Sequence, residues 1–395
     1  MSLRGAVQRL RTRATSTQSS ASGLMLPTAQ LELARDGPAP LVPEGLDADP
    51  SMTIAVVIPS FRRGSGGHAT IVNLLRELRV LGHSISLWLE DCEGRHGRES
   101  AALTKRSFAD FYASDGLELH TDFGAWQGAD VVLATGWQTV ARTLMLRGAR
   151  ARAYLVQDHE PDFYGASAEA LWAEDTYRQG LPCVAASPWL AELLRARYDA
   201  RATYFELGVD HAIYRPTGAD RGGDLVVFYA RAITPRRAVP LGLLALGELR
   251  RRRPAVQIAL YGESSPLEVP FAPRQLGVLE APRLAGLYSE ATVGMVLSLT
   301  NPSLIALEMM ACGLPCVELA SESMLATFGR EGPLRLAEPD PLALCAEIEA
   351  LLDDPERRRR ASSAGVQLMA ERTWEHAALQ VEQGLRTAIA DASRS

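Results

Sequence analysis

The segment from Ser298 to Val317 gathers residue types that could do chemistry. An apolar run at 293–297 leads into a short polar loop, and a helical pattern begins near Ser303. The unpaired N–H groups of a helix start favour an anion such as a diphosphate. Glu308 stands about a turn and a half inside that helix, among Leu304, Ile305, Leu307, Met309 and Met310. A carboxylate in so apolar a stretch needs a partner. From there it could accept hydrogen bonds from two hydroxyls of a sugar.

Two further clusters lie earlier in the chain. Asp158, His159 and Glu160 follow directly on a strand pattern at 154–156. Three ionisable groups at a strand end suit acid–base work, and Asp158 or Glu160 could position a hydroxyl or act as its base. Nothing in the sequence chooses among the three. The loop 59–67 holds Gly64, Gly66 and Gly67, where a backbone could approach a ligand closely. It is not a dinucleotide fingerprint. Five residues separate it from its strand, and the third glycine falls at Ala69.

These groups need elements to hold them. A β-branched run at 54–58, a helical pattern from about 68 to 81 and a strand at 85–89 form a βαβ unit, which implies a parallel sheet. Strand patterns recur at 131–134, 183–186 and 203–205, and Ser187-Pro188 opens another helix. A linker rich in Pro, Thr, Gly and Asp spans 214–223. A second alternating series follows, with strands at 225–230, 256–261, 293–297 and 316–319. Two such series predict an α/β protein of two doubly wound, Rossmann-like domains facing across a cleft. The expected boundaries are a leader at 1–50, a first domain at 51–215, a second domain at 224–373 and a closing helix at 374–395.

The string Glu308-Met-Met-Ala-Cys-Gly313-Leu-Pro315-Cys-Val317 resembles the donor-site signature of retaining GT-B glycosyltransferases of the family 4 group. Their pattern has another Glu eight positions earlier, where this chain has Thr300. The variant Thr300-Asn301-Pro302-Ser303 is similar to that of bacterial surface-polysaccharide rhamnosyltransferases, which use a dTDP-linked deoxysugar. A second string, Arg231-Ala-Ile-Thr-Pro-Arg236, resembles the family's Arg and Lys that neutralise the leaving diphosphate. Fixed cations there would act most strongly in the transition state. Arg237, next in line, reads as a surface arginine. Gly262 resembles the glycine turn behind the nucleotide, and Gly277 to Leu279 resembles the family's short segment whose backbone contacts the base. Leu207-Gly208-Val209-Asp210 resembles the hinge.

The resemblance implies a donor site of Gly66, Gly67, Arg231, Arg236, Gly262, Leu279, Thr300, Asn301, Ser303, Leu304 and Glu308. It makes 51–215 the acceptor-side domain and 224–373 the nucleotide-sugar-binding domain, has the helix at 374–395 cross back to the first domain, and places His159 against the transferred sugar. It implies a retaining hexosyltransferase acting on a glycan or lipid-linked acceptor, with no metal and no cofactor beyond the nucleotide-sugar. The alternatives are a sugar-nucleotide epimerase and a non-catalytic relative that binds a glycan or a partner transferase.

Composition narrows the class. The 395 residues are 47% hydrophobic and 22% charged, with a net charge of −6. That suits two soluble cores and argues against nucleic acid as partner. No apolar run is long enough to span a bilayer, so a cytoplasmic location is expected. The leader is rich in Ser, Thr, Ala, Gly and Pro and reads as disordered. Arg4, Arg9, Arg11 and Arg13 suit a solvated tail or a weak peripheral contact with anionic lipid. Five scattered cysteines point to buried thiols rather than a disulfide framework.

Overall fold

A computed structural model describes residues 27–42, 51–114, 116–218, 221 and 223–394. The N-terminal lobe is built on β1 (Thr53–Pro59), β2 (Ser84–Glu90), β3 (Glu118–His120), β4 (Ala129–Ala134), β5 (Ala149–Val156), β6 (Cys183–Ala185) and β7 (Ala202–Tyr204). All pair in parallel, in the order 3-2-1-4-5-6-7. The C-terminal lobe uses β8 (Leu225–Tyr229), β9 (Gln257–Tyr261), β10 (Arg274–Gln275), β11 (Val293–Met295), β12 (Cys316–Leu319) and β13 (Arg335–Ala337). Its order is 10-9-8-11-12-13, again all parallel. Each order reverses beside its first strand, and such a switch point opens a crevice at the strand C-termini.

Helices cover both faces of each sheet, which is why β1 is apolar without alternation: Ile54 to Ile58 are all buried. The last helix, Trp374–Ala392, leaves the C-terminal lobe and packs on the helix Gly66–Val80 and on β5. Trp374, Ala377, Ala378, Val381, Leu385 and Ala388 recur at helical spacing and join the first lobe's core.

The leader expectation needs correcting in its middle. Thr28–Asp36 is a helix that packs on the helix Trp137–Met145. Ala29 is buried, Leu33 and Leu41 pack against the core, and the amides of Ala39 and Val42 donate to Leu144 and Ala149 carbonyls. Its few apolar residues therefore find a surface that composition alone does not reveal. The expectation for 1–26 and 43–50, including the basic start, lies outside the described residues. Among the described residues no helix is long and apolar enough to cross a membrane.

The two chain crossings between lobes lie against each other. Val209 N–H donates to the Arg372 carbonyl at 2.9 Å, and Arg372 pairs with Glu206 at 2.6 Å. A Cβ at Gly208 would meet Trp374 N at 2.5 Å and the Thr373 carbonyl carbon at 2.6 Å. Gly208→Ala is therefore expected to cost about 1–3 kcal/mol through overpacking. Urea unfolding measures this; a loss under about 0.5 kcal/mol would mean that the crossing relaxes freely.

Candidate active site

The strand ends of both sheets line a cleft of about 540 Å³ between the lobes. On the C-terminal side its wall is set by local sequence. Ser303 caps the helix Leu304–Ala311, its Oγ accepting the Ile305 N–H at 3.3 Å. Gly313, at φ +69°, ends it: the amides of Gly313 and Leu314 return to the carbonyls of Met310 and Met309. Pro315 follows and blocks continuation. The spacing from Glu308 to Gly313 and Pro315 is thus a helix-ending device that fixes the carboxylate against the cleft.

Glu308 lines the cleft at 8% exposure. Its Oε2 has no hydrogen-bond partner. Burial pushes its carboxyl up to about 8, and the Tyr214 hydroxyl, its hydrogen-bonding neighbour, pulls weakly the other way. A buried acceptor left open at a cavity wall is a place for a ligand's hydroxyls. Tyr214 comes from the stretch read as a linker, yet it is buried and stacks on Tyr288.

Arg231, Arg236 and Arg237 all line the cleft, from the loop after β8. Arg231 reaches across it, and its Nη1 donates to the Gly64 carbonyl at 2.9 Å. Arg236 lies over the Phe163 ring, its Cζ 4.0 Å from the centroid. Its Nε is 3.4 Å from Asp158 Oδ2, an ion pair without a formed hydrogen bond. Burial lowers this guanidinium below the usual arginine range, against the pull of Asp158. Arg237 is not the free surface residue the sequence suggests. Its Nη1 donates to Ser298 Oγ at 2.6 Å, and the Ser298 amide donates to the buried Glu318 at 2.7 Å. No spacing rule singled it out, because the bond that orients it spans 61 residues.

Gly66, Gly67, Gly262, Leu279, Ser303 and Leu304 line the cleft, as do Asp158 and Glu160. Gly66 and Gly67 open the helix Gly66–Val80, which starts earlier than the pattern predicts because Ser65 takes the N-cap position.

Three expected site residues do other work. His159 does not face the cleft. It is 1% exposed, with Nε2 2.7 Å from the Tyr198 hydroxyl and Nδ1 2.8 Å from Asp162, and it stacks on Tyr177 and Tyr198. Thr300 and Asn301 are buried between the lobes rather than on the cleft wall. Thr300 Oγ1 and the Asn301 amide donate to the two oxygens of Asp158, each at 2.9 Å. Asn301 also donates to the carbonyls of Gln157 and Ala186 and accepts from Ser187. This dipeptide is a polar clasp that ties the second lobe to the strand ends of the first.

Of the cluster at 158–160, Asp158 is therefore the acid that meets the second lobe. Glu160 lies deeper: its Oε2 accepts the Trp137 amide at 2.6 Å and the Tyr154 hydroxyl at 2.9 Å. Burial raises its carboxyl to about 7.

Known proteins share this fold. Residues 224–349 match the WsaF C-terminal domain family, and residues 123–187 match the WsaF N-terminal domain family. Sucrose-phosphate synthase from Thermosynechococcus elongatus superposes with a TM-score of 0.67 at 18% identity, over 86% of this chain and 99% of that one. HepE of Anabaena, solved with UDP-glucose, gives 0.63 at 14% identity, over 86% and 100%. The fold is GT-B. Within this GT-B chain, 272 residues are 32% identical to the O-antigen biosynthesis protein RfbC of Myxococcus xanthus, covering 67% of this chain and 21% of that protein. A D-inositol 3-phosphate glycosyltransferase of Frankia alni is 33% identical over 230 residues, 50% of this chain and 56% of that one. The chain thus spans about a fifth of the first relative's length and about half of the second's.

Proposed function

We propose that this GT-B chain is a glycosyltransferase that moves a sugar from a nucleoside diphosphate to a glycan or lipid-linked acceptor in polysaccharide assembly. The observation that carries the reading is Glu308: a buried carboxylate with an open oxygen, on the same cleft wall as three arginines. The carboxylate takes the nucleoside's sugar hydroxyls, and Arg231, Arg236 and Arg237 take the diphosphate. In the transfer, the bond from the anomeric carbon to the diphosphate oxygen breaks, and that oxygen keeps the electron pair. The acceptor oxygen forms the new bond to the anomeric carbon, and its proton passes to the departing diphosphate oxygen. Fixed cations favour this step because charge grows on the leaving oxygen. The O-antigen relative supports polysaccharide assembly as the setting.

Retention of configuration and a deoxyhexose such as L-rhamnose complete the proposal. Retention follows the family resemblance. The deoxyhexose reading draws on the acid absent at position 300. Asp158, the carboxylate beside it, is occupied by Thr300, Asn301 and Arg236. That leaves little acceptor capacity there for an additional sugar hydroxyl.

The test is thermal unfolding against UDP, dTDP, GDP and their sugars. A ligand at about a hundred times its Kd stabilises by about 2.7 kcal/mol, a rise of several degrees. We expect such a rise with one nucleotide series and its loss in Glu308→Gln. A flat panel would overturn the reading. Hydroxyl count adds a check, since ribose offers Glu308 two hydroxyls and deoxyribose one.

A further inference from the structure

Arginines line the cleft from both lobes. Besides the three arginines of the C-terminal lobe, Arg62 and Arg95 line it from the N-terminal lobe. Glu93 lines the same end, but its Oε2 is held by Arg95 Nε at 3.0 Å. Arg62 makes no hydrogen bond or ion pair with an acid among the described residues. Burial lowers the proton affinity of its guanidinium, the charges of Arg231 and Arg95 lower it further, and Glu93 pulls the other way. Glu93 is thus one acid among three guanidiniums, Arg62, Arg95 and Arg231, and like charges in such excess are eased when a further anion joins them. The loop is held in place for such a ligand: the Tyr112 hydroxyl donates to the Arg62 carbonyl at 2.6 Å. Beside it Phe111 is 36% exposed and also lines the cleft, a flat apolar face next to the cations.

We propose that Arg62 and Arg95 form an anion subsite for a phosphate carried by the acceptor. This rests on the reading of the C-terminal lobe as the donor side, because the donor's diphosphate then takes the arginines of that lobe and leaves this pair for a second anion. Two guanidiniums suit phosphate, since each presents a planar fork of donors. Phe111 would lie against the adjoining part of the acceptor. An acceptor bearing a phosphate would be drawn to this end of the cleft, and the attraction would fall with salt.

The experiment is calorimetric titration of the full chain with glycerol 1-phosphate, with and without saturating dTDP or UDP. We expect one site to survive nucleotide saturation and to weaken about tenfold or more in R62Q/R95Q, with nucleotide affinity changed less than about twofold. Survival of that site at full strength in the double variant would overturn the proposal. So would an equal loss of nucleotide affinity, which would assign both arginines to the donor. If no nucleotide binds, the donor reading fails, and the titration without nucleotide still tests the pair: loss in R62Q/R95Q supports an anion subsite and no loss overturns it. Co-sedimentation with phosphatidylglycerol vesicles, against phosphatidylcholine alone, tells the sources apart. Binding lost in the double variant assigns the phosphate to a lipid. Glycerol 1-phosphate binding without vesicle binding assigns it to a soluble acceptor.

Discussion

Arg236→Gln is expected to lower kcat of the proposed transfer about a thousandfold, with a much smaller rise in KM. Removal of one fixed donor from a site where charge develops costs about 10²–10³ in rate, and Arg236 is a full, half-buried cation rather than a dipole. The loss should fall on kcat because the diphosphate is most charged as it leaves. The fold should survive. Arg236 spans the lobe junction through Phe163 and Asp158, but Asn301 also holds that junction through Gln157, Ala186 and Ser187, without either residue. Steady-state kinetics with the donor found by thermal unfolding decide it, and a fall of less than about tenfold would remove Arg236 from the mechanism. Asp158→Asn is the informative partner. It removes the negative charge beside Arg236, so nucleoside diphosphate should bind more tightly while turnover falls.

The pair Arg236 and Asp158 also shows where sequence reading stops. The strands were legible, because buried parallel strands are apolar without alternation and polar loops follow them. Two series of such runs were enough to give two doubly wound lobes and a cleft at their strand ends. The wall around Glu308 was legible for a local reason: cap, helix, glycine and proline lie within thirteen residues of one another, from Ser303 to Pro315. What failed was direction across the chain. Thr300 and Asn301 reach Asp158 over 142 and 143 residues, and their types alone do not say that they face another lobe rather than a sugar. His159 was placed at the right strand end, but Tyr198, from a helix after the next strand, draws it inward. The short strands β3, β10 and β13 carry too few residues for a period-2 signal.

Nucleotide affinity is expected to rise with pH, up to about tenfold per unit between pH 7 and 8, and to level off above. Burial keeps the Glu308 carboxyl protonated up to about pH 8, against about 4.3 for a free Glu. Hydroxyls of a bound nucleoside would donate to the ionised form, so binding there releases a proton and is favoured as pH rises. Stability without ligand should run the opposite way. A carboxyl whose pKa is raised by folding contributes fully below its unfolded value and loses that contribution as pH climbs through the folded one. Glu160 and Glu318, raised to about 7 and about 8 by burial, add to the same slope. The unliganded protein should therefore melt lower at pH 8.5 than at pH 6, and nucleotide should narrow the gap. Calorimetric titrations from pH 7 to 9 in buffers of different ionisation enthalpy would count the released proton. Glu308→Gln cannot ionise, so it should bind weakly and with a flat profile. A wild-type profile equally flat, with no proton released, would mean that Glu308 does not meet the nucleoside, whatever holds the diphosphate. Because Arg236 acts on the leaving group and Glu308 on the nucleoside, the two variants should separate: one loses turnover with binding largely kept, the other loses binding and its pH dependence together.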